Sequence, residues 1–151
     1  MSIRNILLGL FFTGFISAAH AQDNCTVDIE ATNNMTFSKD EITVPATCST
    51  ITVNLKNTGK LPAALMGHNL VISKKKDLIG LTNDSFEAGF KNNYVKPNDS
   101  RAIVVSKVIG GGESTSVTFK TDLFNKEDEY VFFCASPGHW SIMQGKFKLV
   151  Q

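Results

Sequence analysis

Apolar and polar residues alternate along much of this chain. Val27 and Ile29 interleave with Asp28 and Glu30, and Ile51, Val53 and Leu55 with Thr52, Asn54 and Lys56. Val117 and Phe119 flank Thr118 and precede Lys120; Phe147 and Leu149 interleave with Lys146 and Lys148. A period of two sends alternate side chains to opposite faces, so each run predicts a half-buried strand. Leu70-Val71-Ile72, Ile103-Val104-Val105 and Val131-Phe132-Phe133 are continuously apolar and predict central strands. Thr36-Phe37 and Ile42-Thr43-Val44 suggest one more strand with a kink. Asn57-Thr58-Gly59, Lys96-Pro97-Asn98-Asp99 and Ile109-Gly110-Gly111-Gly112 punctuate the runs with turn chemistry. Many short strands so separated predict an all-β domain, a two-sheet antiparallel sandwich. Asp77 to Tyr94 breaks the alternation. Phe86 and Phe90 are four apart, the spacing of one helix face, while Gly80 and Gly89 weaken a helix there. The stretch reads as an inserted flap with one short helix, not a second domain.

The chain opens differently. Arg4 precedes an apolar run from Ile6 to Ile16, and Ala19-His20-Ala21 has the small-x-small form of a cleavage site. Residues 1–21 therefore read as a secretory signal peptide, cut after Ala21, because the apolar core is too short to span a bilayer. Residues 22–151 form the predicted functional domain, exported to the periplasm and not inserted in the membrane. Cys25 is not the first residue after the cut, which argues against a lipid anchor on it. Removing Arg4 with the signal lowers Lys+Arg from 15 to 14 against 14 Asp+Glu. A domain of zero formal charge has no strong field to draw nucleic acid or an anionic membrane. Lys74-Lys75-Lys76, the main basic run, reads as a solvated strand end.

Three cysteines in an exported chain leave one over. Cys25 and Cys48 flank an early strand-and-turn stretch and are the natural disulfide pair in an oxidising compartment. Closing that loop is worth about 3 kcal/mol through the denatured state. Cys134 is then a free thiol, which alone would read as an inert buried cysteine.

Its neighbours change that reading. Cys134-Ala135-Ser136-Pro137-Gly138-His139-Trp140-Ser141-Ile142-Met143 puts a thiolate, an imidazole and a thioether on one short loop. Tyr130 to Phe133 supplies a strand ending at Cys134, and Pro137-Gly138 a turn. His68 lies far upstream, just before Leu70-Val71-Ile72, and ties the loop to a separate strand. After signal removal His68 and His139 are the only histidines left. One soft sulfur, two imidazole nitrogens and a weak second sulfur form the ligand set of a blue-copper electron-transfer site.

With these residues in view, the chain resembles the cupredoxin family and, within it, the azurins. Met66-Gly67-His68-Asn69 and the run from Cys134 to Met143 carry the resemblance. It extends over essentially the whole of residues 22–151, including the cysteine pair, the flap and Lys96-Pro97-Asn98-Asp99-Ser100-Arg101. The resemblance implies a Greek-key sandwich holding one copper ion that cycles between Cu2+ and Cu+. It implies His68, Cys134 and His139 as a trigonal set, Met143 as a long axial contact and the Gly67 carbonyl as a second weak one. Backbone hydrogen bonds from Asn69 and Ser136 to the Cys134 sulfur are implied too, and such bonds tune a metal site. Met35, Leu61, Met66, Pro137 and Ile142, joined by Trp140, would form an apolar docking patch around the edge of His139. Implied partners are redox proteins: c-type cytochromes and a terminal reductase or peroxidase, met by a monomeric carrier that is not an enzyme. The chain also departs from many azurins, with Asn57 where they carry a redox-coupled histidine, Leu70 where they carry tryptophan and Ser136 where they carry phenylalanine.

Other classes fit less well. A secreted hydrolase using Cys134 as nucleophile and His139 as base would lack a histidine-orienting group and would leave Met143 idle. A structural zinc site prefers a closed set of four cysteines and histidines. A metal-free adhesion-like sandwich leaves Cys134 and both histidines unexplained, and a copper oxidase or reductase needs more histidines than this chain has.

Overall fold

The computed structural model describes residues 25–150; the proposed signal segment lies outside the described residues. Eight strands form two sheets: β1 (Thr26–Ala31), β2 (Glu41–Pro45), β3 (Thr50–Asn57), β4 (Val71–Lys74), β5 (Ala102–Val105), β6 (Ser114–Lys120), β7 (Tyr130–Phe133) and β8 (Gln144–Val150). The smaller sheet has the order β1-β3-β6 and the larger β2-β8-β7-β4-β5. The sandwich and its inserted helical flap are as expected, but the pairing is mixed. β1 runs parallel to β3 and β2 parallel to β8, while the other ladders are antiparallel. Alternation tells which face of a strand is buried and says nothing of which strand lies beside it.

Alternating strands turn one face inward. Ile29 and Ala31 of β1, Ile51, Val53 and Leu55 of β3 and Ile42 and Val44 of β2 join one core with Ile72, Phe119, Phe132 and Phe147. The continuous runs have another cause. In β7, Phe132 enters that core while Val131 and Phe133 enter a second cluster with Val71, Leu78, Leu81, Val95 and Ala135. In β4, Ile72 and Val71 divide in the same way. β7 and the Val71-Ile72 start of β4 are apolar on both faces because the other sheet covers one face and the flap covers the other. β5 differs from expectation, being an edge strand of the larger sheet with mostly half-buried residues. Phe37 makes an isolated bridge to Ala31, so the expected kinked strand is a bridge followed by a separate β2.

Two helices complete the order, α1 (Ala63–Met66) and α2 (Leu78–Ala88). α2 is the flap helix, and it passes through Gly80 and stops before Gly89. Its buried residues are Leu78, Leu81, Thr82, Ser85 and Ala88. Phe86 is 84 % exposed and Phe90 lies beyond the helix in a separate 3-10 turn, so this pair is not the packed face. Ion pairs pin the flap: Arg101 to Asp84 at 2.5 Å and to Asp99 at 2.6 Å, and Lys96 to Asp84 at 3.1 Å and to Glu87 at 2.8 Å. Cys25 and Cys48 form the expected disulfide. Among the described residues no helix is long and apolar enough to cross a membrane.

Candidate metal centre

The site sits where β7 ends. Cys134 follows β7, and the chain returns through a 3-10 turn at His139–Ser141 to enter β8. Gly138 makes the reversal at φ 82°, a left-handed conformation that glycine adopts without a Cβ clash. Three backbone bonds close the loop: Cys134 N–H to the Met143 carbonyl at 3.0 Å, Met143 N–H to the His139 carbonyl at 2.9 Å, and His139 N–H to the Ser136 carbonyl at 3.0 Å. Met143 is thereby drawn inside and is fully buried.

His68 arrives from the other side. It follows α1 and Gly67, and its backbone exchanges two hydrogen bonds with Ile109, at 3.0 and 2.9 Å. Close approach forces glycine at position 67: a Cβ there would lie 2.4 Å from the Ala63 carbonyl oxygen and 2.6 Å from Val108 Cγ1. Asn57, fully buried, donates through Nδ2 to the carbonyls of Ile109 at 3.2 Å and Met66 at 3.4 Å. The Asn57 Oδ1 accepts the Gly59 N–H at 2.9 Å, so one amide ties together three loop segments.

These two approaches bring three atoms face to face. Cys134 Sγ lies 3.8 Å from His68 Nδ1 and 3.6 Å from His139 Nδ1, and the two nitrogens are 3.3 Å apart. The point equidistant from all three is roughly 2.1 Å from each, close to ordinary metal–imidazole bond lengths and slightly short for a metal–thiolate bond. Among the described residues this is the one group of histidine, cysteine and acidic side chains disposed to hold a metal ion. His68 and Cys134 are buried and His139 is half-buried, so one edge of the trio reaches solvent.

Burial sets the charge state of the metal-free trio. It pushes the His68 pKa down to about 4, with the nearby His139 adding to the effect and the Thr32 carbonyl opposing it. The other His68 nitrogen, Nε2, is buried without a hydrogen bond of good geometry. Burial lowers His139 as well, and it raises the Cys134 thiol against the opposing pull of the Asn69 N–H, the Ser136 hydroxyl and the Ser136 N–H. The Ser136 hydroxyl carries a single hydrogen, and its 2.7 Å contact to the Gly67 carbonyl takes it. A pocket that resists both imidazolium and free thiolate suits a bound cation, which stabilises the thiolate and takes the imidazole lone pairs.

Neighbouring amides hold the frame. Asn69 accepts the Ala135 N–H at 2.8 Å through Oδ1 and donates through Nδ2 to the Asn93 carbonyl at 2.8 Å. Asn93 Oδ1 accepts the Val108 N–H at 2.9 Å, which joins the end of the flap to the β5–β6 loop. Sequence reasoning missed Asn93 and Ile109. Asn93 had a faint signal, since asparagine tolerates the left-handed conformation it adopts at φ 53°.

Of the expected docking residues, Leu61, Pro137 and Ile142 are exposed, while Met35, Met66 and Trp140 are half-buried. Met35 packs on the main core and Trp140 on the cluster beneath the flap. Leu65 of α1, 71 % exposed, was overlooked. A small cavity of about 210 Å³ opens here, lined by α1 residues with Tyr94, Ser136, Pro137 and His139. A larger groove, about 980 Å³, runs past Phe124, Tyr130 and Phe147 and contains none of the trio.

A mixed β-sandwich that holds a thiol and two imidazoles in a tight triangle at one end defines a copper protein of the cupredoxin class. The family model described as "Copper binding proteins, plastocyanin/azurin family" matches residues 23–150. The chain is 50 % identical over 125 residues to the azurin of Alcaligenes faecalis, covering 83 % of this chain and 98 % of that one. It is 44 % identical over 147 residues to the azurin of Bordetella pertussis, covering 97 % and 98 %. A solved structure of the azurin Az-iso2 from Methylomonas sp. strain J superposes with a TM-score of 0.81 at 41 % identity, over 84 % of this chain and 98 % of that one. The chain belongs to the plastocyanin/azurin family of copper-binding proteins, and the azurins are the relatives it resembles. Its cofactor is one copper ion and its role is that of a blue-copper electron carrier.

Proposed function

We propose that the protein is a periplasmic one-electron shuttle whose copper is held by His68, Cys134 and His139, with Met143 as a long axial contact and the Gly67 carbonyl as a second weak one. The triangle of Sγ and two Nδ1 atoms at 3.3 to 3.8 Å is the observation that carries this assignment. Copper supplies the one-electron couple. The chain supplies a frame that keeps its shape as the charge changes, because the His68 backbone is bonded to Ile109 and the Cys134, His139 and Met143 backbones are bonded within their own closed loop. Little movement on electron arrival means a low barrier to transfer. Asn69 and Ser136 direct their N–H groups at the thiolate sulfur and withdraw charge from it.

Electrons would pass at the half-buried His139 edge. Leu61, Pro137 and Ile142, with Met35, Met66 and Trp140 behind them, would provide a docking face chosen by packing rather than by charge. Partners fitting this role are c-type cytochromes and a terminal reductase or peroxidase, each meeting a monomer. Residues 1–21 would direct export and be removed after Ala21, leaving residues 22–151 as the working domain.

A visible spectrum tests the assignment. Copper-loaded, oxidised protein should show an intense thiolate-to-copper band near about 600 nm that vanishes in Cys134→Ser. Copper uptake without that band, or colour that survives loss of the thiol, would overturn it.

A further inference from the structure

Ser136 stands between two parts of the proposed site. Its backbone N–H points at the Cys134 sulfur. The residue is 4 % exposed, and its hydroxyl donates to the Gly67 carbonyl at 2.7 Å. That carbonyl has little freedom. Gly67 is pressed against Ala63 and Val108, and the residues on either side are bonded to Asn57 and Ile109. The hydroxyl therefore meets an oxygen whose position the backbone has already fixed.

We propose that the Ser136 hydroxyl determines metal specificity, by engaging the Gly67 carbonyl oxygen so that it cannot become a strong fourth donor. The proposal rests on the ligand assignment above. A carbonyl oxygen is a hard donor, whereas thiolate and thioether favour copper, above all Cu+. Zinc seeks a closed set of four strong ligands, and the trio offers three. A free carbonyl would supply the fourth and favour zinc. A carbonyl whose lone pair accepts a short hydrogen bond is a weaker base and so a poorer metal donor. The carbonyl is thus screened, and the donors that remain are the ones copper prefers.

Removing the hydroxyl tests this in the full-length mature protein. Zinc and copper affinities would be measured by chelator competition for wild type, Ser136→Ala, Ser136→Thr and Ser136→Val. Threonine and valine have the same shape and differ by the hydroxyl, so that comparison stands even if alanine leaves a disruptive hole. The ratio of zinc to copper affinity should rise roughly three- to ten-fold in the alanine and valine variants, the worth of one ordinary hydrogen bond. It should stay within about two-fold of wild type in the threonine variant. A second readout needs no metal: with 13C at the Gly67 carbonyl, its infrared stretch should move to higher frequency in Ser136→Val and not in Ser136→Thr. An unchanged ratio, or one moving toward copper, in alanine and valine would overturn the proposal, as would an infrared band indifferent to the hydroxyl. Wild-type protein that binds copper without the intense visible band would instead remove the ligand assignment itself.

Discussion

Asn69→Ala is the most direct test of how the metal loop is held in place. The Asn69 side chain is fully buried and makes two good hydrogen bonds, one from the Ala135 N–H and one to the Asn93 carbonyl, each 2.8 Å. Alanine removes both at once and leaves a buried donor and a half-buried acceptor facing a small void. An orphaned buried polar group costs about 1 to 3 kcal/mol. The Ala135 donor should then cost about 1 to 3 kcal/mol and the half-buried Asn93 carbonyl less, both reduced if a water enters the space Asn69 vacates. For a domain of this size a loss near 3 kcal/mol lowers the midpoint of thermal unfolding by roughly 10 °C. Metal-free protein is the right sample, because copper bound to the folded state alone would add its own stabilisation. Urea unfolding followed by Trp140 fluorescence gives the free energy, and alkylation of Cys134 under native conditions reports the local effect. Thiol reactivity should rise along with the loss of stability, because the Asn69 side chain bonds the residue that follows Cys134. A destabilisation below about 1 kcal/mol, with unchanged thiol reactivity, would refute the idea that this amide holds the loop.

Three further outcomes follow from the charges and amides described above. Burial leaves both imidazoles neutral and the Cys134 thiol protonated at neutral pH, so loading Cu2+ should release about one proton, as calorimetry in buffers of differing ionisation enthalpy would record; release of two or more would contradict those directions. The Asn57 amide does not titrate, so the reduction potential should stay nearly flat between about pH 6 and 8, and a clear fall across that window in a potentiometric titration would show that another group is coupled to the metal. Arg101 holds the Asp84 and Asp99 carboxyls below their usual range, and a depressed carboxylate stabilises above its unfolded pKa and loses that effect as pH falls through its folded one. The α2 amides should accordingly exchange faster on acidification below the normal carboxylate range, and Arg101→Met should abolish that step; a flap equally protected at all acidic pH would count against the ion pairs as its anchor.

Local chemistry was legible in the sequence, and pairing was not. The alternation in Ile51-Val53-Leu55 and the unbroken run Val131-Phe132-Phe133 gave the right strands, because burial on one face or two leaves its mark residue by residue. Ile103-Val104-Val105 looks the same as the β7 run yet forms an edge strand, since its residues pack against the same two clusters and position within the sheet leaves no mark on their type. The parallel pairs β1–β3 and β2–β8 join segments that no local pattern links. Phe86 and Phe90 misled because a four-residue spacing identifies a shared face only while the helix continues, and Gly89 ends it. The trio was readable because Cys134, His139 and Met143 sit on one loop and His68 is the one other histidine after residue 21. Asn57 and Asn69 were named from the sequence for other reasons and Asn93 not at all; their side-chain bonds were hidden, since they form only when distant backbone meets them.

The donor triangle is split between two distant stretches of chain. Two of its corners lie on the turn between β7 and β8, and the third precedes β4, with Cys134 coming 66 positions after His68. A nascent or unfolded polypeptide therefore owns no complete copper pocket, only the donors that share the β7–β8 loop. The pocket is complete only once β4 pairs with β7, a long-range contact. Choice of metal thus falls to the finished fold, and is made wherever that fold is completed.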